Sequence, residues 1–135
     1  MAKTRAAADP RETRNGLTGP EWAIMKVVWA NAPCAAGTVQ EALASSHNWA
    51  YSTVKTTMDR MVIKGLLATK AIRNLTLFSA QISRVDAQRT ELRRVIGRAF
   101  DGALTPLIQF LVEDEDLTRD EIAELRKMIK RRAQS

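Results

Sequence analysis

A chain of 135 residues with 45% hydrophobic content is long enough for one core or two small modules, and its formal charge of +6 favours a polyanionic partner. No run approaches the ~18 apolar residues of a membrane span, so no membrane insertion is expected, and the single cysteine, Cys34, excludes an internal disulfide. One cysteine, one histidine and no Gly-rich phosphate loop leave little from which to build an enzyme active site or a metal centre, so neither catalysis, metal nor cofactor is expected.

The opening stretch MAKTRAAADPRETRNG has no apolar segment of signal-peptide type and reads as a flexible basic tail over residues 1–16 of a cytoplasmic protein. LTGPEWAIMKVVWANA then starts a helix. Thr18 and Glu21 have capping-box spacing, Pro20 suits the first turn, Leu17 can staple onto Trp22, and Trp22, Met25, Val28 and Trp29 form an inward stripe. Asn31, Pro33 and Gly37 mark a loop around Cys34. A second helix is expected from Thr38 to Ser46, with Val39, Ala42 and Leu43 inward and Ser45, Ser46, His47 and Asn48 ending it. Cys34, ahead of this helix, and His47, at its far end, are poorly placed to act as nucleophile and base.

In WAYSTVKTTMDRMVIKGLL, Val54, Met58, Met61 and Val62 line one face of a third helix, and Gly65 supplies its left-handed stop. The other positions are Tyr51, Ser52, Thr53, Lys55, Thr56, Asp59 and Arg60. A merely solvated face would favour Glu and Lys over these weaker helix formers. LLATKAIRNLTLFSAQI brackets Arg73-Asn74 with β-branched and apolar residues and reads as a small hairpin. Three helices and a hairpin in this order define a winged helix-turn-helix over residues 17–82. The fold class expected is therefore mainly α with a small β-hairpin: an N-terminal winged helix and a C-terminal helical module over residues 83–135.

That module carries stripes at Leu92, Val95, Ile96, Ala99 and Phe100, and at Leu104, Leu107, Ile108 and Leu111, interrupted by Asp101-Gly102 and Pro106. The acidic run EDED at 113–116 reads as a connector. Thr118 and Glu121 repeat the capping box, Leu117 and Ile122 the staple, and Ile122, Leu125, Met128 and Ile129 the stripe. Helices this short cannot bury such stripes alone, so a homodimer is expected through Leu92, Ile96, Phe100, Leu104, Leu107, Ile108, Leu125 and Met128. Charge divides along the same line. Residues 1–80 hold ten basic against five acidic groups, a net of +5, and residues 81–135 eleven against ten, a net of +1. An anion-binding front and an assembly-type back follow.

In a major groove, the third helix would present its N-terminal residues to base edges and its flanks to phosphates. Thr53 and Thr56 suit base reading, because a hydroxyl can donate or accept and the threonine methyl can meet that of thymine. Lys55 and Arg73 suit phosphate, Arg60 either, and Tyr51 sugar or phosphate. The alternative is a winged-helix protein-interaction adaptor without specific DNA binding, against which Lys55, Arg60, Lys64 and the basic tail argue.

LTGPEWAIMKVVW, WAYSTVKTTMDRMVIKGLL and FLVEDEDLTRDEIAELRKMI resemble the penicillinase-repressor family of bacterial winged-helix regulators (BlaI/MecI/CopY type) from about Leu17 to Ile129. The resemblance implies a dimeric transcriptional repressor that binds a dyad operator in double-stranded DNA. Ser52, Thr53, Lys55, Thr56 and Arg60 would lie on its recognition helix, with Arg73 and Asn74 in the wing. Many relatives have Ser-Pro where this chain has Ala50-Tyr51. Copper-responsive relatives end in paired cysteines, a soft Cu(I) site, which this chain lacks. Lactam-responsive members are cut at an Asn-Phe bond by a pathway that starts at a membrane sensor. The matching bond here is Phe110-Leu111, preceded by Gln109, so Gln109, Phe110 and Leu111 mark the corresponding segment for a sensor-linked protease.

Overall fold

The computed structural model describes residues 16–134, and the expected basic tail lies outside them except for Gly16. In chain order the elements are α1 (Gly19–Asn31), α2 (Ala36–His47), α3 (Tyr51–Ile63), β1 (Leu67–Ile72), β2 (Leu75–Ala80), α4 (Arg84–Ala99), α5 (Leu104–Asp114) and α6 (Arg119–Ala133). They fall into two compact units that divide between Arg94 and Val95, inside α4.

The front unit forms because three amphipathic helices share one core. Ile24, Met25 and Val28 of α1, Ala36, Val39 and Leu43 of α2, and Val54, Met58 and Met61 of α3 are buried together with Leu66, Leu67, Phe78 and Ala87. Of the expected inward faces, Met25 and Val28 of α1 and Val54, Met58 and Met61 of α3 are buried, whereas Trp22, Trp29 and Val62 are half-buried and Ile24 joins the core instead. In α2 the buried set is Ala36, Val39 and Leu43, whereas Ala42 is exposed. The helix starts before Gly37, which was expected in the loop, and runs to His47, because Asn48 at φ 51 supplies its left-handed end. The polar residues before Asn48 therefore stay helical.

α3 ends in a Schellman motif. Gly65 at φ 82 lets its N–H reach the Val62 carbonyl (3.0 Å) while the Leu66 N–H reaches Met61 (2.9 Å). Leu66 and Met61 are both buried in the core, so the turn that ends the helix also delivers the chain into β1.

β1 and β2 pair antiparallel from Leu67↔Ala80 out to Ile72↔Leu75, with Arg73-Asn74 as the tip. A two-residue hairpin loop of this kind requires positive φ at a central position; Arg73 adopts it at φ 58 without help from glycine. Only the base of the hairpin is packed, through Leu67 and Phe78, and the tip stands clear. Phe78 also pairs with Cys34 in both directions, Cys34 N–H to Phe78 O at 3.0 Å and Phe78 N–H to Cys34 O at 2.7 Å. The loop before α2 thus acts as a one-residue third strand, which has no period for sequence reading to detect.

The tryptophans are not fully enclosed. Trp22 and Trp29 stack edge to face at 5.9 Å and are half-buried against the core. Their indole N–H groups clamp the start of α4: Trp29 donates to the Ile82 carbonyl at 2.9 Å and Trp22 to Glu91 at 3.4 Å, while the Arg84 guanidinium lies 5.0 Å from the Trp29 ring.

In the back unit, the chain between α4 and α5 turns at Asp101 (φ 50) and Gly102 (φ 82), and Phe100 meets Phe110 at 6.2 Å. Pro106 does not interrupt the helix. It sits in the first turn of α5, where a missing N–H costs nothing. The capping box predicted for α6 is present, with the Thr118 N–H on Glu121 (3.0 Å) and the Glu121 N–H on the Thr118 hydroxyl (3.1 Å). Neither α5 nor α6 buries a single residue.

One contact ties the two ends of the front unit's helical layer. Glu21 is 5% exposed, and its two oxygens have different partners: one accepts from the Thr18 N–H at 2.9 Å, the other from Lys64 at 2.7 Å. Glu21→Ala should cost about 2–3 kcal/mol, since it removes half a capping box and leaves a half-buried ammonium unpaired. Glu21→Gln, which keeps a cap acceptor, should cost roughly half as much. Urea unfolding followed by tryptophan fluorescence measures both, because Trp22, Trp29 and Trp49 all lie in the front unit. A Glu21→Gln chain as stable as the wild type would show that the charge plays no part, and equal losses for the two variants that the cap acceptor plays none.

Candidate nucleic-acid interface

α3 buries Val54, Met58 and Met61 and leaves its opposite side to solvent. Ser52, Thr56, Asp59 and Ile63 recur at i, i+4, i+7 and i+11, so they form the centre line of that outward side. Thr53 and Arg60 flank it on one edge and Lys55 on the other. All are exposed except Lys55, which is half-buried. Among the described residues, no side-chain hydrogen bond engages the Ser52, Thr53 or Thr56 hydroxyls or the Arg60 guanidinium. The Thr57 hydroxyl, by contrast, donates back to the Thr53 carbonyl at 2.8 Å and is spent within the helix.

The N-terminus of α3 has no side-chain cap, because Ala50 occupies the cap position. Its first amide N–H groups therefore remain available to an anion. Tyr51, 52% exposed, stands at this entrance. Trp49, just before it, is held from behind: its carbonyl accepts from Gln40 at 3.3 Å and its ring meets His47 at 4.4 Å. The helix start is thus fixed by α2 rather than by a cap.

Lys55 departs from the expected picture of a free cation. Its ammonium donates to both Asp59 oxygens at 2.9 Å and lies 6.0 Å from the Phe78 ring, on the flank of α3 that faces the hairpin. The i,i+4 spacing of Lys55 and Asp59 was visible in the sequence, but the two-oxygen pairing was not. Arg73 and Asn74 are exposed at the hairpin tip between Ile72 and Leu75, which are 46% and 50% exposed.

Two other features are not part of this surface. Burial pushes the Cys34 thiol up from its ordinary pKa, the opposite of what a nucleophile or a soft metal ligand needs. A water-sized cavity of about 20 Å³ beside Glu21 and Lys64 is lined further by Leu17, Leu66, Ile82 and Ala87. No group of His, Cys, Asp and Glu able to hold a metal ion occurs among the described residues, and no single helix there is long and apolar enough to cross a membrane.

An exposed, hydroxyl-rich third helix seated on two others, with a projecting hairpin beside it, defines a winged-helix DNA-binding regulator. The family model described as penicillinase repressor matches residues 17–131. The chain belongs to the penicillinase repressor family, whose members are DNA-binding transcriptional repressors. It is 24% identical over 116 residues to the methicillin resistance regulatory protein MecI of Mammaliicoccus sciuri, covering 86% of this chain and 94% of that one. To the penicillinase repressor of Bacillus licheniformis it is 22% identical over 113 residues, covering 84% and 88%. A solved structure of the Bacillus licheniformis BlaI monomeric form in complex with the blaP half-operator aligns with a TM-score of 0.46 at 23% identity, over 52% of this chain and 85% of that one.

Proposed function

We propose that this repressor acts as a homodimer, each copy placing α3 in the major groove of one half of a dyad operator and so blocking a promoter. The outward side of α3 carries the reading, since three hydroxyls and a guanidinium are presented there with no partner among the described residues. Thr53 and Thr56 read base edges. Arg60 takes a guanine or a phosphate, and Ser52, Tyr51 and the uncapped amides of α3 hold the backbone. Arg73 and Asn74 carry the wing to the flanking phosphates. Lys55 adds to phosphate binding only as far as Asp59 releases it.

Dimerisation is supported by the back unit. Leu104, Ile108, Leu125 and Met128 are 53%, 50%, 40% and 49% exposed in the single chain, and Leu92 is 51% exposed; Ile96, Phe100 and Leu107 are half-buried. A helical pair with so much apolar surface and nothing buried is completed by a second copy of itself. A dyad operator then follows from the two-fold symmetry of the reader. Derepression by a sensor-linked protease that cuts at Gln109, Phe110 and Leu111 fits this arrangement, because the cut removes α6 and with it the dimer. The protein works in the compartment that holds the DNA, the cytoplasm.

Thr56→Ala should weaken binding to the cognate duplex by about 1–2 kcal/mol and leave a mixed-sequence duplex nearly unaffected. Fluorescence anisotropy titrations at one salt concentration measure both. Equal weakening on the two DNAs would refute the base-reading role of Thr56.

A chain that stops at Phe110 should keep the front unit folded, sediment as a monomer, and lose most of its operator affinity, since the second half-site no longer binds at high effective concentration. Operator affinity within about threefold of the full chain, a difference below ~1 kcal/mol, would remove the proteolytic switch.

A further inference from the structure

On the centre line of α3 stands a carboxylate. Asp59 is 52% exposed, one turn from Thr56, on the side that would enter a groove walled by phosphates. Helix stability does not account for it. Asp is a poor former in a helix interior, and Lys before Asp at i,i+4 is the less favourable order for a surface pair. Brought against DNA, its charge is repelled unless it stays paired or meets a donor. Lys55 supplies the pairing, with both carboxylate oxygens at 2.9 Å, and the Phe78 ring 6.0 Å from the ammonium keeps that cation on the flank rather than out on the centre line. In the major groove the donors that suit a carboxylate are the exocyclic amino groups of bases, that of cytosine above all.

We propose that Asp59 is a specificity-determining residue: it accepts a hydrogen bond from a cytosine amino group in each half-site, and by holding Lys55 it weakens binding to DNA that lacks that cytosine. The two effects act in one direction. On a matching site, the amino group compensates the carboxylate and Lys55 can turn to a neighbouring phosphate. Elsewhere, Lys55 can reach phosphate only by leaving Asp59 uncompensated in the groove. Asp59 therefore separates cognate from random DNA more than it strengthens either. The inference rests on the proposed reading of α3 as the DNA-entering helix.

The test uses the full chain and its Asp59→Asn variant, with Asp59→Ala beside it and melting curves to confirm folding. Each protein selects from a randomised duplex library. Affinities are then measured over a salt series on the duplex chosen by the wild type and on a mixed-sequence duplex of equal length. The variants should bind the mixed-sequence duplex more tightly, with a salt slope steeper by about one phosphate contact as Lys55 is freed. Their cognate-to-random ratio should fall about tenfold, and one cytosine per half-site should vanish from their selected sequences. An unchanged ratio and an unchanged selected sequence would overturn the role of Asp59 while leaving α3 as the reader. A wild-type chain that enriches no sequence at all would overturn the DNA reading itself, and the inference with it.

Discussion

Glu21 is the one charged side chain enclosed by the front unit among the described residues, and the seating of α3 depends on how it is satisfied. A buried carboxylate needs partners on both oxygens. One is used at the start of α1, where it closes the capping box with Thr18, and the other reaches Lys64 just past the end of α3. The start of the first helix and the finish of the third are thereby fixed to one another. The Schellman turn at Gly65 and the burial of Leu66 act at the same point, so the direction in which α3 leaves the core is set three times over.

The reading role proposed for the other side of the helix would make use of that rigidity. A reading surface must hold its hydroxyls within hydrogen-bond tolerance of base edges, and short side chains such as Ser and Thr cannot reach to correct a misplaced backbone. A helix that carries Ser52, Thr53 and Thr56 outward gives up intrinsic propensity and recovers its stability from Val54, Met58 and Met61 beneath. The hairpin is fixed in the same manner at its base, by Phe78 in the core and by its backbone pairing with Cys34, while its tip remains exposed. Both elements are thus anchored on the core side and open on the side proposed to meet DNA.

The sequence disclosed the elements whose causes are local. Capping boxes at Thr18–Glu21 and Thr118–Glu121, the stop at Gly65 and the two-residue tip Arg73-Asn74 are written in neighbouring residues. What it hid depends on distant partners. The Cys34–Phe78 pairing joins residues far apart through backbone atoms alone, and the clamping of α4 by two indole N–H groups turns an apparent core stripe into a half-buried one. Pro106 was misread as a break because its place in the first turn of α5 depends on where the helix begins. The proposed binding face was legible as a set of residue types, whereas the pairing that neutralises Lys55 depends on side-chain geometry.

The central claim is that the outward side of α3 and the tip of the hairpin are where this repressor meets DNA. Backbone amide shifts of the full chain, followed by NMR during titration with a duplex, test it directly. The largest changes should fall on residues 51–60 and 72–75, with the α1–α2 surface around Lys26, Ala30 and Ala42 left undisturbed. Changes centred on that α1–α2 surface, with α3 unmoved, would contradict the account.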